Sequence, residues 1–249
     1  MDGIYGDRYF LGDENGVDAE RRARMKSASG ALYIDALSRL VSPRDTDLLE
    51  IGCGQGELSL EARRRGFRVC GVEVSPHAAA AANRRLGAET VRAGPLEAVL
   101  LPASHFGAVV AVDVIEHVRD PIGFLMRIRE LLANAGEVLL VTPSLDSWTR
   151  RFLGRHWLEY KVEHLFYFSP ASMRRLLEQC GFDEIRIAPS RKILTIDYLC
   201  RHFDRFRVPL LSPLFGLLRR MVPEGLAHRH MLLSASGLMA TARKRESCR

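Results

Sequence analysis

A chain of 249 residues with 47% hydrophobic and 27% charged residues has the size of one large α/β domain or two small ones, and these values exclude a fibrous or low-complexity chain. Five cysteines (Cys53, Cys70, Cys180, Cys200, Cys248), odd in number and without a Cys-x-x-Cys pair or a His at ligand spacing, exclude a disulfide framework and a zinc ribbon. The formal charge of +6 sits in the last quarter, where residues 186–249 hold 13 Lys/Arg against 4 Asp/Glu, and no run of like charge suggests a nucleic-acid arm.

In chain order, the start Met-Asp-Gly-Ile-Tyr-Gly-Asp-Arg lacks the basic and apolar regions of a signal peptide, so a cytoplasmic protein with reduced thiols and no metal is expected. Residues 1–45 are polar with one helical stretch at 19–41 and read as an N-terminal cap. From Asp47 short β-branched and leucine-rich runs alternate with helical spacing, the pattern of a parallel sheet wound with crossover helices. Strands are predicted at Asp47–Ile51, Phe67–Glu73, Thr90–Ala93, Phe106–Asp113, Glu137–Thr142 and Asp183–Ala188, with a last one inside Leu232–Arg243. Helices are predicted at Gly56–Arg65, after Ser75-Pro76 to Leu86, at Asp120–Leu132 and at Ser169–Cys180; three of these starts pair an N-cap residue with Pro at the first helical position. The core thus covers 46–190, an insertion 191–230, and the final strand and tail 231–249. The longest apolar run, Val208 to Leu218, is 11 residues with two prolines, too short to span a bilayer.

The first strand runs into Glu50-Ile-Gly52-Cys53-Gly54-Gln-Gly56-Glu57. In doubly wound sheets ligands bind at the carboxyl ends of the strands, commonly at this first turn. Three alternate glycines allow positive φ and remove the Cβ atoms that would hold a ligand off the main chain. A dinucleotide fingerprint would place its third glycine at residue 57, which is Glu, and a carboxylate at a helix start repels a pyrophosphate. A zwitterionic ligand without phosphate, such as S-adenosylmethionine, tolerates it better. Glu73, 21 positions after Gly52, ends the second strand where a carboxylate accepts from both ribose hydroxyls, although it would serve a nicotinamide cofactor equally.

Four segments in order carry a family resemblance: Leu49-Glu-Ile-Gly-Cys-Gly-Gln-Gly56, Gly71-Val-Glu-Val-Ser75, Val112-Asp-Val-Ile-Glu-His-Val118 with Asp120-Pro121, and Gly136-Glu-Val-Leu-Leu-Val-Thr-Pro143. Over most of 46–190 the chain resembles the class I S-adenosylmethionine-dependent methyltransferases, closest in motif style to ubiquinone-biosynthesis-like small-molecule O-methyltransferases. The resemblance implies an α/β, Rossmann-like, seven-stranded and mostly parallel sheet with one antiparallel strand and helices on both faces. It implies that Glu50, Gly52, Cys53, Gly54 and Gly56 hold the methionine part, Glu73 the ribose, and that Val74 packs on the adenine. Asp113, with the Val114 backbone, would lie beside the amino group and sulfonium. Pro95 and Leu96 fall where the family often has an adenine-reading Asp, and Phe106-Gly107 replaces the usual Phe-Asp.

Methyl transfer is an in-line displacement that needs alignment and removal of one proton from the acceptor. The candidate bases are His117, in Ile-Glu-His-Val, and His164, in a segment that resembles the family's Glu-His-x-x-x-Phe-Ser run; each has a purely structural alternative. Trp148, Trp157 and Tyr160 are candidates to wall an acceptor pocket, or to pack on their own loop. Tyr9, with Tyr5 and Phe10, resembles a segment that closes over the cofactor. The stretch 198–221 mixes apolar and arginine positions and reads as a lid, a dimer face or a peripheral membrane helix. The expected activity is transfer of a methyl group to O or N of a small-molecule acceptor, leaving S-adenosylhomocysteine; acceptors in RNA, protein or a lipid-linked molecule are the alternative. No nucleic-acid partner is expected, and monomer and homodimer both stay open.

Overall fold

A computed structural model describes residues 17–87, 89–205, 208 and 211–246 of the chain. Its strands are β1 (Asp47–Ile51), β2 (Arg68–Glu73), β3 (Val91–Ala93), β4 (Phe106–Val112), β5 (Leu132–Pro143), β6 (Phe182–Leu194) and β7 (Met231–Lys244). Its helices are α1 (Val17–Leu37), α2 (Glu57–Arg64), α3 (Pro76–Leu86), α4 (Pro121–Leu131), α5 (Trp148–Leu153), α6 (Pro170–Gln179), α7 (Ile196–Arg205), α8 (Leu211–Met221) and α9 (Glu224–Ala227).

The strands hydrogen-bond in the order β3-β2-β1-β4-β5-β7-β6, a Rossmann-like mixed sheet. The neighbours from β3 to β5 run parallel, and β7 is antiparallel to both β5 and β6. From β1 the chain moves outward through β2 and β3, then returns to place β4 on β1's other side. The crevice above β1 and β4 is therefore the topological switch point, where helices leave opposite faces and a ligand finds room.

The central strand β4 is apolar at every position, so both of its faces are covered. In β4, Val109 and Ala111 face α4 and α6 through Leu125, Ile128, Leu131, Met173 and Leu177. The alternate residues Ala108 and Val110 face Tyr33, Ile34 and Leu37 of α1 and Leu58 and Ala62 of α2. The period of two, continued without a polar face, is what a sheet buried on both sides requires. The helix starts behave as their sequences dictate: Ser75, Asp120 and Ser169 each accept a backbone N–H from the first turn, with Pro in that turn.

Three expectations change. The N-terminal segment is not simply a cap, since α1 packs a fully buried stripe against the sheet. The strand expected to stop at Ala188 continues to Leu194, paired with β7 as far as Leu194↔Met231, so residues 191–194 belong to the sheet and not to the insertion. The fifth strand likewise starts at Leu132, not Glu137. Gly107 also has a local reason, because a Cβ there would sit 2.8 Å from Thr46 Cγ2 beside a register shift between Phe106 and Ala108.

Candidate active site

The turn after β1 holds Gly52, Gly54 and Gly56 at φ of 72°, 53° and 81°. Gly52 is constrained by space as well, since a Cβ would lie 2.5 Å from Val114 Cγ2. At Gly56 a Cβ would crowd Ala82 of α3 at 3.2 Å, whereas at Gly54 it would meet nothing within 4 Å. Two glycines thus serve close packing and one faces open space.

The Glu73 carboxylate accepts the Gly54 N–H at 2.8 Å through Oε2 and the Ser75 N–H at 3.0 Å through Oε1. It is 3% exposed. Two of its acceptor sites therefore fix the glycine turn and the start of α3, and a carboxylate retains further lone pairs for a ligand. Val74 beside it is exposed, an apolar side chain at a strand end. Leu96 is buried in the core, while Pro95 is exposed.

Glu50 is buried and accepts from Ser59 Oγ at 2.5 Å. Burial, reinforced by Glu57 and Glu73, pushes its carboxyl to about 8 despite that bond. Burial likewise raises the Cys53 thiol. The sign for stability follows from proton counts. Between 4.5 and about 8 the folded chain keeps a proton on Glu50 that the unfolded chain has lost, so this group makes stability fall as pH rises through that window. Urea unfolding across pH 5 to 8, about the same window, is expected to show a shallower fall for Glu50→Gln than for the unsubstituted chain.

Glu57 corrects the electrostatic reading of the helix start. It is 7% exposed and pairs with Arg85 at 2.8 Å, so its charge is partly neutralised and argues less strongly against a phosphate than the sequence suggested.

Across the crevice Asp113 ends β4 at φ 53°. Its carboxylate meets Lys192 Nζ at 2.7 Å, from the part of β6 that the sequence reading assigned to an insertion. Burial would raise the Asp113 carboxyl, but the adjacent ammonium outweighs it and holds it low. Burial in turn would lower Lys192, and Asp113 keeps it well above its ordinary value. The Asp113 side chain is still 43% exposed, so the pair lies on the cleft wall within reach of a ligand. Above it Tyr33 of α1 buries a hydroxyl with no hydrogen-bond partner, and burial pushes that hydroxyl to about 12. These groups line one cleft of about 460 Å³, together with Glu50, Gly52, Cys53 and Gly54. That is within the usual range for small-molecule sites.

The histidines lie together beyond β4. His117 Nδ1 is 3.0 Å from the Glu163 carbonyl, and its ring meets His164 edge-on with centroids 4.7 Å apart. Burial lowers both imidazoles and favours their neutral form. The aromatic loop separates. Trp157 is 2% exposed and donates to Thr149 Oγ1 at 3.2 Å, packing on its own segment. Trp148 and Tyr160 are exposed. Tyr9, with Tyr5 and Phe10, lies outside the described residues. Sequence reasoning missed Lys192, Tyr33 and Glu116; the last was within reach, one position before His117.

A family model described as a methyltransferase domain matches residues 20–186. A ubiquinone biosynthesis O-methyltransferase of Cereibacter sphaeroides is 30% identical over 151 residues, 55% of this chain and 60% of that protein. The mitochondrial enzyme of the same description from Schizosaccharomyces pombe is 30% identical over 145 residues, 55% of this chain and 51% of that one. The match therefore spans little more than half the length of these curated relatives. Among solved structures, phosphoethanolamine N-methyltransferase 2 of Haemonchus contortus with S-adenosyl-L-methionine has a TM-score of 0.63 at 18% identity, covering 98% of this chain and 61% of that one. The YcgJ protein of a Bacillus has a TM-score of 0.60 at 16% identity, covering 87% and 99%.

Proposed function

The chain belongs to the class I S-adenosylmethionine-dependent methyltransferases, and on that premise we propose that it transfers the methyl group to an oxygen or nitrogen of a small-molecule acceptor. The observation that carries this reading is the cleft at the switch point. It combines an open glycine turn with the Asp113 carboxylate, and Glu73 holds the Gly54 N–H of that turn.

In this reading the cofactor's ribose takes the remaining acceptor capacity of Glu73, and its carboxylate takes N–H groups of the 52–56 turn. Asp113 supplies negative charge for the amino group and sulfonium, and Glu50, kept protonated by burial in the free chain, borders the methionine part. Val74 packs on the adenine, and the backbone at Pro95 and Leu96 borders its edge. Lys192 competes for Asp113 with the cationic end of the cofactor, so Asp113 serves two cations or the lysine turns toward the acceptor. The acceptor oxygen or nitrogen attacks the methyl carbon in line, the S–CH₃ bond breaks, and S-adenosylhomocysteine leaves. The acceptor's proton passes to a neutral imidazole, His164 or His117, or to water. Trp148 and Tyr160 border the acceptor side. The similarity to ubiquinone biosynthesis O-methyltransferases supports a hydroxylated acceptor.

The test is methyl transfer from S-adenosylmethionine carrying a labelled methyl group to catechol-type, amine and RNA acceptors in parallel. Label is expected in the small hydroxylated acceptors. Label found in RNA alone would refute the small-molecule reading.

A further inference from the structure

A second cavity, of about 310 Å³, lies between α1, α7 and the segment that leads into β7. Its wall is basic: Arg21, Arg22 and Arg24 come from one turn of α1, Arg201 from α7, and His228 and His230 from the segment before β7. Against four arginines the described lining holds one acid, Asp197, which pairs with Arg201 at 2.9 Å. Two further acids stand near without lining the cavity. Glu20 pairs with Arg24 at 2.6 Å and Glu224 lies 3.8 Å from Arg21, and both acids are exposed, where an ion pair is worth little. An excess of positive charge in a concave wall focuses the potential and draws in an anion.

This cavity adjoins the cofactor cleft. Arg22 and Met25 of α1 and Tyr198 of α7 line both. The helical period explains the continuity, because Arg22, Met25, Lys26, Ser29, Gly30 and Tyr33 share one face of α1 and line the cleft that also holds Asp113 and Lys192. That face is fixed against the sheet by Ser29, whose Oγ accepts the Ile193 N–H of β6 at 2.8 Å. Met25 is buried and Tyr198 half-buried, so the junction offers an apolar side chain and a ring between two charged ends. No residue proposed to hold the cofactor lines the basic cavity.

Resting on the methyl-transfer reading, we propose that the basic cavity holds the phosphate or carboxylate of an anionic acceptor, whose nucleophilic oxygen or nitrogen reaches into the cofactor cleft. The planar fork of arginine pairs two oxygens of such a group at once, and an imidazole N–H adds a single donor. The volume is at the lower end of small-molecule sites, room for the charged end of a ligand whose remainder lies in the adjoining cleft. The anion is bound apart from the reacting atoms, so its charge selects the acceptor without entering the displacement. A cationic acceptor is repelled by the same wall.

The experiment first titrates inorganic pyrophosphate into the chain by calorimetry. One saturable site with a dissociation constant below about 1 mM is expected. Arg22→Gln and Arg201→Gln are each expected to weaken it by more than roughly 10-fold, the weight of one charge-assisted contact, and Arg22→Lys, which keeps the charge and loses the fork, by less. Arg175→Gln, on an exposed residue of α6 across the sheet from α1, leaves it unchanged. Circular dichroism reports whether each variant folds, and the titration of the unsubstituted chain decides if one does not. The second arm compares methyl transfer to 3,4-dihydroxybenzyl phosphate and to 3,4-dihydroxybenzyl alcohol. The phosphate is expected to have a KM lower by roughly 10-fold or more, and Arg22→Gln to raise that KM with little change in kcat. Absence of pyrophosphate binding, or folded Arg22 and Arg201 variants that bind like the unsubstituted chain, overturns the site. Binding to phosphatidylglycerol vesicles through the same arginines, with none to free pyrophosphate, assigns the anion to a lipid surface and overturns the soluble acceptor. S-adenosylmethionine binding with equal transfer to both acceptors sinks this proposal alone, whereas pyrophosphate binding without any S-adenosylmethionine binding sinks the methyl-transfer reading on which it rests.

Discussion

Replacing Glu73 with Ala is expected to raise the dissociation constant for S-adenosylmethionine by more than roughly 100-fold, measured by isothermal titration. In the proposed complex the carboxylate accepts from two ribose hydroxyls, and hydrogen bonds to a charged group are worth about 1.5–3 kcal/mol each. Two of them amount to two to four decades in affinity, about 1.4 kcal/mol per decade. The loss should exceed that of the ribose contacts alone, because the same oxygens hold the Gly54 and Ser75 N–H groups. Removing them frees the turn that the methionine part is proposed to lie against. Glu73→Gln is not a mild alternative: its amide NH₂ has to face one of those two backbone donors. An affinity within about threefold of the parent chain, less than one hydrogen bond to a charged group, would mean the ribose is not held at Glu73.

Gly52→Ala is expected to cost about 2–6 kcal/mol of folding stability. The left-handed backbone at φ 72° and the steric conflict with Val114 each contribute about 1–3 kcal/mol. Because Val114 follows Asp113 directly, any shift that relieves the clash also moves the Asp113–Lys192 pair. Gly54→Ala is the informative contrast. Its φ of 53° is also left-handed, but a Cβ there meets nothing within 4 Å. Its stability cost should stay near about 1–2 kcal/mol, the backbone contribution alone. The added methyl projects from a residue that lines the cleft, so affinity falls more than stability. Urea unfolding and cofactor titration on both variants separate packing from access. Equal stability losses would show that the Gly52 contact with Val114 is not tight.

Much of this was legible in the sequence, for physical reasons that can be named. The parallel strands are short, apolar and bounded by turn chemistry, so Asp47–Ile51 emerged with the expected ends. Helix starts at Ser75, Asp120 and Ser169 are local signals, a polar cap followed by Pro, and they hold in the structure. The glycine turn was readable because positive φ and close approach leave a compositional mark.

What escaped was non-local. Lys192 is 79 residues from Asp113 and reaches it only because β6 continues past Ala188 to pair with the start of β7. Nothing in Arg191-Lys-Ile-Leu194 announces that pairing, since its side chains do not alternate cleanly between polar and apolar. Arg85 lies 28 positions after Glu57 on another helix, so Glu57 read as an unpaired charge when it is not. Trp157 and Trp148 sit in the same aromatic loop, yet one is 2% and the other 61% exposed, a division made by tertiary packing that composition does not encode. His164 follows the same logic: it comes beside Glu116 and His117 only because the loop before α6 docks on the Glu116 carbonyl.

The central claim is that the cleft between the glycine turn, Glu73 and Asp113 binds S-adenosylmethionine. Isothermal titration of S-adenosylhomocysteine into the folded chain and into Glu73→Ala, with NADH as a competitor, tests it most directly. One saturable site is expected, lost in the folded Glu73 variant and indifferent to NADH. No binding to the folded parent chain, or displacement by NADH, would contradict it.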